Sequence, residues 1–436
     1  MRLRHNLVLL KLLFDRNITR TPRRVFRELK RHGRLNATGT RAALSKSVWG
    51  RLKSLRYILR WLDGEHLTRF EDQWVINSFL PPFPGRAYDR MFENLLSGRR
   101  WSPVSAFLAI TSDCPANCWH CSLKRRKGGN LPTETWRRVI GELHELGVSL
   151  FGITGGEPLV RDDLCELIAE IKNGGGEVMM FTSGIGMTAE RAVALKNAGL
   201  WAVCVSMDRN DHGEVDQMRC FPGALDQAQK TLQQAKAAGL YTCVNCVADQ
   251  KNVRSKVYLS LYEKSVELGV DEFRLIEPMP CGQLLDVDDS VFLTPEQIAE
   301  LRCFHRETNR NLRYGSKHQI KVCVFNEIES PELFGCSGGT RHLFIDAAGE
   351  VCPCDFTPLS FGNVTEESMA TIWDRMSTAM KQPRRHCIIQ NHHELIQLYV
   401  KDRIPAPVEA SLEAAAALPE EPLPDFVQWA EQGSLR

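Results

Sequence analysis

Between residues 107 and 279 the chain alternates short apolar, β-branched runs with longer amphipathic stretches. The runs are FLAIT (107–111), LFGITGG (150–156), VMMFTSG (178–184), WAVCVSMD (201–208), TCVNCVAD (242–249) and EFRLIEPM (272–279). Such runs, separated by segments of helical periodicity, predict six strands of a parallel sheet with helices between them. The helices end alike, in ELGV, NAGL, AAGL and ELGV, which puts Gly147, Gly199, Gly239 and Gly269 just past the last turn. Glycine adopts the left-handed conformation that closes a helix, so four C-caps precede four strands. The expected fold is α/β, a partial (β/α)6 TIM-like barrel whose reactive groups sit on the loops after the strands. A doubly wound open sheet fits the same pattern.

The flanks differ from this grammar. Residues 1–80 read as a basic helical extension, in which Val48, Leu52, Leu55, Leu59 and Leu62 trace one apolar face and Thr21 with Pro22 mark a helix start. Residues 81–104 read as a connector, 105–318 as the barrel and 319–395 as a small cysteine-containing α+β module. Residues 396–436, rich in Ala, Pro and Glu, read as a flexible tail.

Composition changes this picture in two places. Residues 1–62 carry 17 Lys or Arg against Asp15 and Glu28, so a net charge of only +2 hides a basic front end on an acidic remainder. Fifteen cysteines are scattered along the chain. The start, MRLRHNLVLLKLLF, is interrupted by Lys11 and has no small-residue cleavage site after it, so the expected setting is a reducing cytoplasm. There, clustered thiols favour metal binding or catalysis over disulfides. No stretch is long and apolar enough to span a bilayer.

The sharpest cluster is TSDCPANCWHCSL (111–123), with Cys114, Cys118 and Cys121 directly after the first predicted strand. Three thiolates can wrap one soft metal centre and leave a position open for a substrate or cofactor. A zinc knuckle is the competing reading. The spacing C-x3-C-x2-C, with Trp119 after the second cysteine, resembles the signature of the radical S-adenosylmethionine (SAM) superfamily. One strand later, GITGGEPLV (152–160) places Gly155, Gly156, Glu157 and Pro158 where that family has its GGE motif.

The resemblance implies that Cys114, Cys118 and Cys121 hold a 4Fe-4S cluster whose unligated iron binds SAM. It also implies that reductive cleavage of SAM leaves a 5′-deoxyadenosyl radical that abstracts a substrate hydrogen. Residues 155–158 would meet the SAM amino group, glycine allowing close approach and carbonyl or carboxylate oxygens accepting from an ammonium. At the next strand ends Thr182, Ser183, Gly184, Ser206 and Asp208, and more weakly Asn245, offer polar groups to the carboxylate or ribose of SAM. Of these, Ser183 and Ser206 are carried as SAM-binding candidates with Trp119. Each taken singly also reads as a turn or cap residue. Cys204, Cys243 and Cys246 lie in apolar strands and read as buried structural thiols.

Farther on, Cys336-x12-Gly349-x4-Cys354 resembles the opening of the SPASM or twitch extension, an auxiliary iron–sulfur module. Only Cys387 follows, so the resemblance implies one auxiliary cluster, held by Cys336, Cys354 and Cys387. Cys352 is the candidate for the fourth ligand and Cys323 the reserve. If EVCPCDF is extended, Cys352 and Cys354 point to one face, and DAAGE supplies a turn back to HLFI. A zinc site, structural thiols or an open iron that binds substrate are the alternatives.

The expected enzyme is therefore a radical SAM enzyme that modifies a peptide, with an electron donor such as flavodoxin or ferredoxin. A membrane lipid or isoprenoid substrate is the alternative, since a basic amphipathic N-terminus suits peripheral contact of residues 1–62 with an anionic membrane surface. Nucleic acid is a less favoured partner for the same charge. A non-catalytic zinc- or cluster-binding protein is the reading from another class.

Overall fold

The computed structural model describes residues 62, 64–96, 102–126, 128–312, 319–400 and 403–432. The expectations of basic helices and membrane contact thus fall almost wholly outside the described residues.

A short antiparallel hairpin comes first, β1 (Thr68–Phe70) and β2 (Gln73–Val75). The six expected strands follow as β3 (Ser105–Ala109), β4 (Leu150–Thr154), β5 (Glu177–Thr182), β6 (Ala202–Ser206), β7 (Tyr241–Val247) and β8 (Glu272–Ile276). Next are β9 (Lys321–Val324), β10 (His342–Ile345) and β11 (Val351–Cys352). The large sheet runs β11-β10-β3-β4-β5-β6-β7-β8-β9, parallel throughout except for the β10/β11 hairpin. The six-stranded parallel core is thus extended at both edges, by β9 beside β8 and by β10 beside β3.

Burial on both faces explains the unbroken apolar runs: Leu150, Phe151 and Ile153 of β4 and Val203, Cys204 and Val205 of β6 are all essentially inaccessible. Helices cover the outside. In Thr133–Leu146 the buried residues Trp136, Val139, Ile140 and Leu143 recur at helical spacing, and Gly147 ends the helix at φ 101°. At the N-terminal end of the strands, Phe70 and Val75 pack against Leu150, Met179, Trp201 and Tyr241. Lys321 donates to the carbonyls of Val75 and Ile76, and Glu272 accepts from Ser78 N and Tyr241 Oη. That end is plugged, so the C-terminal strand ends carry the open face.

Three expectations change. Within the 1–80 segment, residues 68–75 form a hairpin, and the 81–104 connector contains the helix Arg86–Leu96, from which Arg90 donates to the carbonyls of Val148 and Gly174. The tail is not flexible over residues 403–432, because helices Val408–Ala417 and Asp425–Gln432 pack onto the module. Its alanines were the signal: Ala406, Ala414 and Ala415 are buried, and Arg384 and Arg385 pair with Glu421 and Asp425.

Candidate active site

The cysteine loop leaves β3 and is fastened by backbone hydrogen bonds on three sides. Gly156 N and Glu157 N donate to the carbonyls of Thr111 and Asp113, at 2.7 and 2.8 Å. Asn117 N and Trp119 N donate to Arg219 O and Met218 O, at 3.0 and 3.1 Å, at the end of helix His212–Arg219. Gln283 N donates to Cys121 O at 2.9 Å, beyond β8.

Gly155 and Gly156 are required by this fastening itself. A Cβ on Gly155, which sits at φ +132°, would lie 2.3 Å from Thr111 O, and one on Gly156 2.1 Å from Asp113 O. Glu157 is fully buried, and its carboxylate accepts from Leu159 N (3.1 Å), Thr182 Oγ1 (2.5 Å), Ser183 N (2.8 Å) and Ser183 Oγ (2.5 Å). Burial raises its pKa in spite of these donors. The expected ammonium-accepting carboxylate is therefore already engaged, and Ser183 is engaged with it. Pro158 is buried in the short turn that follows.

Cys114, Cys118 and Cys121 are all half-buried and free of disulfides. Burial raises the Cys114 thiol, with Glu157 and Cys121 adding to the effect. Burial likewise pushes Cys118 up to about 11, while Arg219 acts in the opposite sense and Cys121 and Cys114 add to the rise. Cys114 and Cys118 thus resist ionisation together unless positive charge lies among them. That donor set fits an iron–sulfur cluster, and Trp119 Nε1 and His120 Nδ1 beside it are buried without partners. Ser206 ends β6, half-buried, in register with Asn245, whose Oδ1 is also buried without a partner.

Asp208 is not available to a ligand. It is fully buried and ion-paired with Arg219 Nη2, and its Oδ1 accepts from Val247 N at 2.9 Å. Arg219 Nη1 donates to Cys118 Sγ at 3.6 Å. A lone arginine in a polar helix carries no sequence signal for this role, and the contact was not foreseen.

The second thiol group joins Cys336, Cys387 and Cys354. The backbones of residues 336 and 384 pair, bringing Cys387, the N-cap of helix Ile388–Gln397, to Cys336. Cys336 is held at about 7 by the neighbouring Cys387 thiol and, after the opposing effect of burial, by the N–H groups of Ile388 and Gly338. Cys354 and Cys387 are pushed upward, Cys387 chiefly by Cys336 and Cys354 by burial, with each thiol lying in the field of Cys336. Among the described residues, no three His, Cys, Asp or Glu side chains are grouped so as to hold a single metal ion.

Cys352 stands apart from these three. The strand ends at Cys352 and the chain turns over residues 353–356, so Cys352 and Cys354 do not share a face. The Cys352 thiol instead receives Arg126 Nη1 at 3.2 Å. Cys323, the reserve ligand, is buried on β9 in the field of Glu272, Glu65 and Arg274.

Arg126 was also missed. It comes five residues after Cys121, donates to Asp355 O at 3.2 Å, pairs with Asp346 at 3.5 Å and lies over the Phe344 ring. Cys281, nearly inaccessible, lies in the field of Asp355, Arg126 and Cys121. These groups join the first cysteine loop to the second thiol group.

Comparison with known proteins agrees with this arrangement. Residues 108–250 match the radical SAM superfamily and residues 336–396 match SPASM, an iron–sulfur cluster-binding domain. The chain is 26% identical over 304 residues to an AdoMet-dependent heme synthase of Nitratidesulfovibrio vulgaris, spanning 65% of this chain and 82% of that protein. It is 28% identical over 302 residues to a PqqA peptide cyclase of Bradyrhizobium diazoefficiens, spanning 65% and 78%. In fold it is similar to Streptococcus suis SuiB bound to precursor peptide SuiA, with TM-score 0.55, 15% identity and coverage of 74% and 79%. No helix among the described residues is long and apolar enough to cross a membrane. With its three-cysteine loop after the first barrel strand and a second thiol group on the adjoining module, the chain carries a radical SAM domain over residues 108–250 and a SPASM domain over residues 336–396.

Proposed function

We propose that this radical SAM enzyme modifies a peptide bound between the cysteine loop and the SPASM module. Cys114, Cys118 and Cys121 hold the SAM-binding 4Fe-4S cluster, and Cys336, Cys354 and Cys387 hold one auxiliary cluster. Bound there, cluster and SAM supply one-electron chemistry that ends in hydrogen abstraction from the substrate. The chain's part is to fix the loop through Gly155 and Gly156, to keep Glu157 bridging to the end of β5, and to offer Ser206 and Trp119 toward SAM. Electrons come from a small donor such as flavodoxin or ferredoxin.

The observation that carries the peptide reading is the likeness to a PqqA peptide cyclase at 28% identity. A second reading, heme-type chemistry on a tetrapyrrole, draws on the likeness to AdoMet-dependent heme synthases at 26% and 24% identity. Anaerobic reconstitution followed by dithionite reduction should yield 5′-deoxyadenosine from SAM. Deuterium transfer from a labelled peptide into that product supports the first reading, and transfer from a labelled tetrapyrrole supports the second. Absence of 5′-deoxyadenosine from fully loaded protein would overturn both.

A further inference from the structure

Around the cysteine loop, one charged pair is buried where the proposed chemistry gives it no task. Asp208 is inaccessible and Arg219 only 7% exposed. Arg219 Nη2 pairs with Asp208 Oδ2, while Nη1 reaches Cys118 Sγ at 3.6 Å and Nε is buried without a partner. Asp208 is itself fixed by Val247 N at 2.9 Å, and His120 Nε2 stands 4.0 Å from its Oδ2. The adjoining Arg209 pairs with Asp249 at 2.6 Å and donates to the main-chain carbonyl of Asp208 at 2.8 Å, so it engages the Asp208 backbone and leaves that residue's carboxylate to Arg219. Burying two charges is costly unless each is well matched, so stability alone is a weak reason for the pair.

We propose that Arg219, backed by Asp208, is a positioning residue that sets the electron affinity of the cluster on Cys118. The inference rests on Cys114, Cys118 and Cys121 holding a cluster, as proposed above. An added electron increases the negative charge shared by the cluster and its thiolates. A guanidinium N–H directed at one of those sulfurs stabilises the reduced form, and in a buried site it is little screened. Asp208 acts through Arg219 in the opposite sense, because its negative charge offsets part of the guanidinium field. The two residues therefore pull the potential in opposite directions. The main-chain carbonyl of Arg219, which holds Asn117 N, is untouched by side-chain replacement.

The test is a potentiometric titration of the full-length, reconstituted protein, followed by electron paramagnetic resonance without SAM. The first cluster is identified separately as the reduced signal that changes when SAM is added. Arg219→Gln should lower the potential, with about a tenfold fall in the reduced-to-oxidised ratio at fixed poise, or about 59 mV for one electron. Asp208→Asn should raise it. Arg219→Lys keeps the charge but withdraws the forked donor, and should lower the potential by less; it takes the place of Arg219→Gln if that variant fails to load. Unchanged potentials, or shifts of the same sign from Arg219→Gln or Arg219→Lys and from Asp208→Asn, would overturn the inference. A wild-type protein with no SAM-responsive signal would instead overturn the proposed cluster assignment.

Discussion

Gly156 and Asp113 touch through their backbones, so that a Cβ at position 156 would stand 2.1 Å from the Asp113 carbonyl oxygen. The contact lies between the GGE turn and the entry to the cysteine loop. Gly156→Ala should displace residues 111–113 and misplace Cys114 while leaving the SPASM module intact. Iron and sulfide per chain should fall by the share of the first cluster, with the SAM-responsive signal lost and the auxiliary signal retained.

Four donors converge on the Glu157 carboxylate, which has no contact with solvent. Glu157→Gln sets an NH2 group against donors that need an acceptor. The expected cost is about 2–4 kcal/mol in denaturant unfolding, since an unmatched buried group costs more than a lost bond returns. Ser183→Ala removes one donor and should cost about 1 kcal/mol.

Arg126 and Asp346 are both buried and 3.5 Å apart, and Arg126 also serves Cys352 and Asp355. Arg126→Met leaves Asp346 without its counter-charge and should destabilise the protein by about 3–5 kcal/mol. The double variant Arg126→Met with Asp346→Asn should recover part of that loss in the same unfolding measurement.

The placement of the later thiols predicts unequal effects on iron content. Alanine at Cys336, Cys354 or Cys387 should abolish the auxiliary signal. Alanine at Cys352, which faces Arg126, should retain it.

His305 is inaccessible, accepts Val324 N on Nδ1 at 3.0 Å and is drawn down to about 3 by burial. A histidine with a depressed folded pKa binds fewer protons in the native state than in the unfolded chain. Its contribution is complete above about pH 6.5 and is lost as the pH falls toward 3. Between pH 6 and 5, His305→Gln, whose carbonyl can still accept from Val324 N, should show a decline in stability shallower by roughly 1 kcal/mol per pH unit, read from unfolding midpoints.

The strands β3 to β8 were legible because burial on both faces leaves an unbroken apolar run, and the helices because Gly147, Gly199 and Gly269 end them. Pairing of β10 with β3, which joins Phe344 to Phe107, leaves no trace in local periodicity. Among site residues, the three-cysteine loop and the GGEP turn stood out by spacing, whereas Arg219 is a single charge in a polar helix and Arg126 is one of four consecutive basic residues, Lys124 to Lys127, with nothing to single it out. The placement of Cys352 was misread because period-2 reasoning holds only while a strand continues, and this one stops before Pro353. The tail was misread because alanine-rich composition suggests flexibility, yet small side chains also let Ala414 and Ala415 pack closely.

The loop bearing Cys114, Cys118 and Cys121 is clamped by residues 156 and 157, 218 and 219, and 283, while Arg126 just beyond it is gripped by Asp346 and Cys352. Most of these partners are translated well after the loop itself. During synthesis the three thiols therefore emerge from the ribosome ahead of the contacts that shape them. The loop thus takes its final shape only when the later strands and the SPASM module have closed around it.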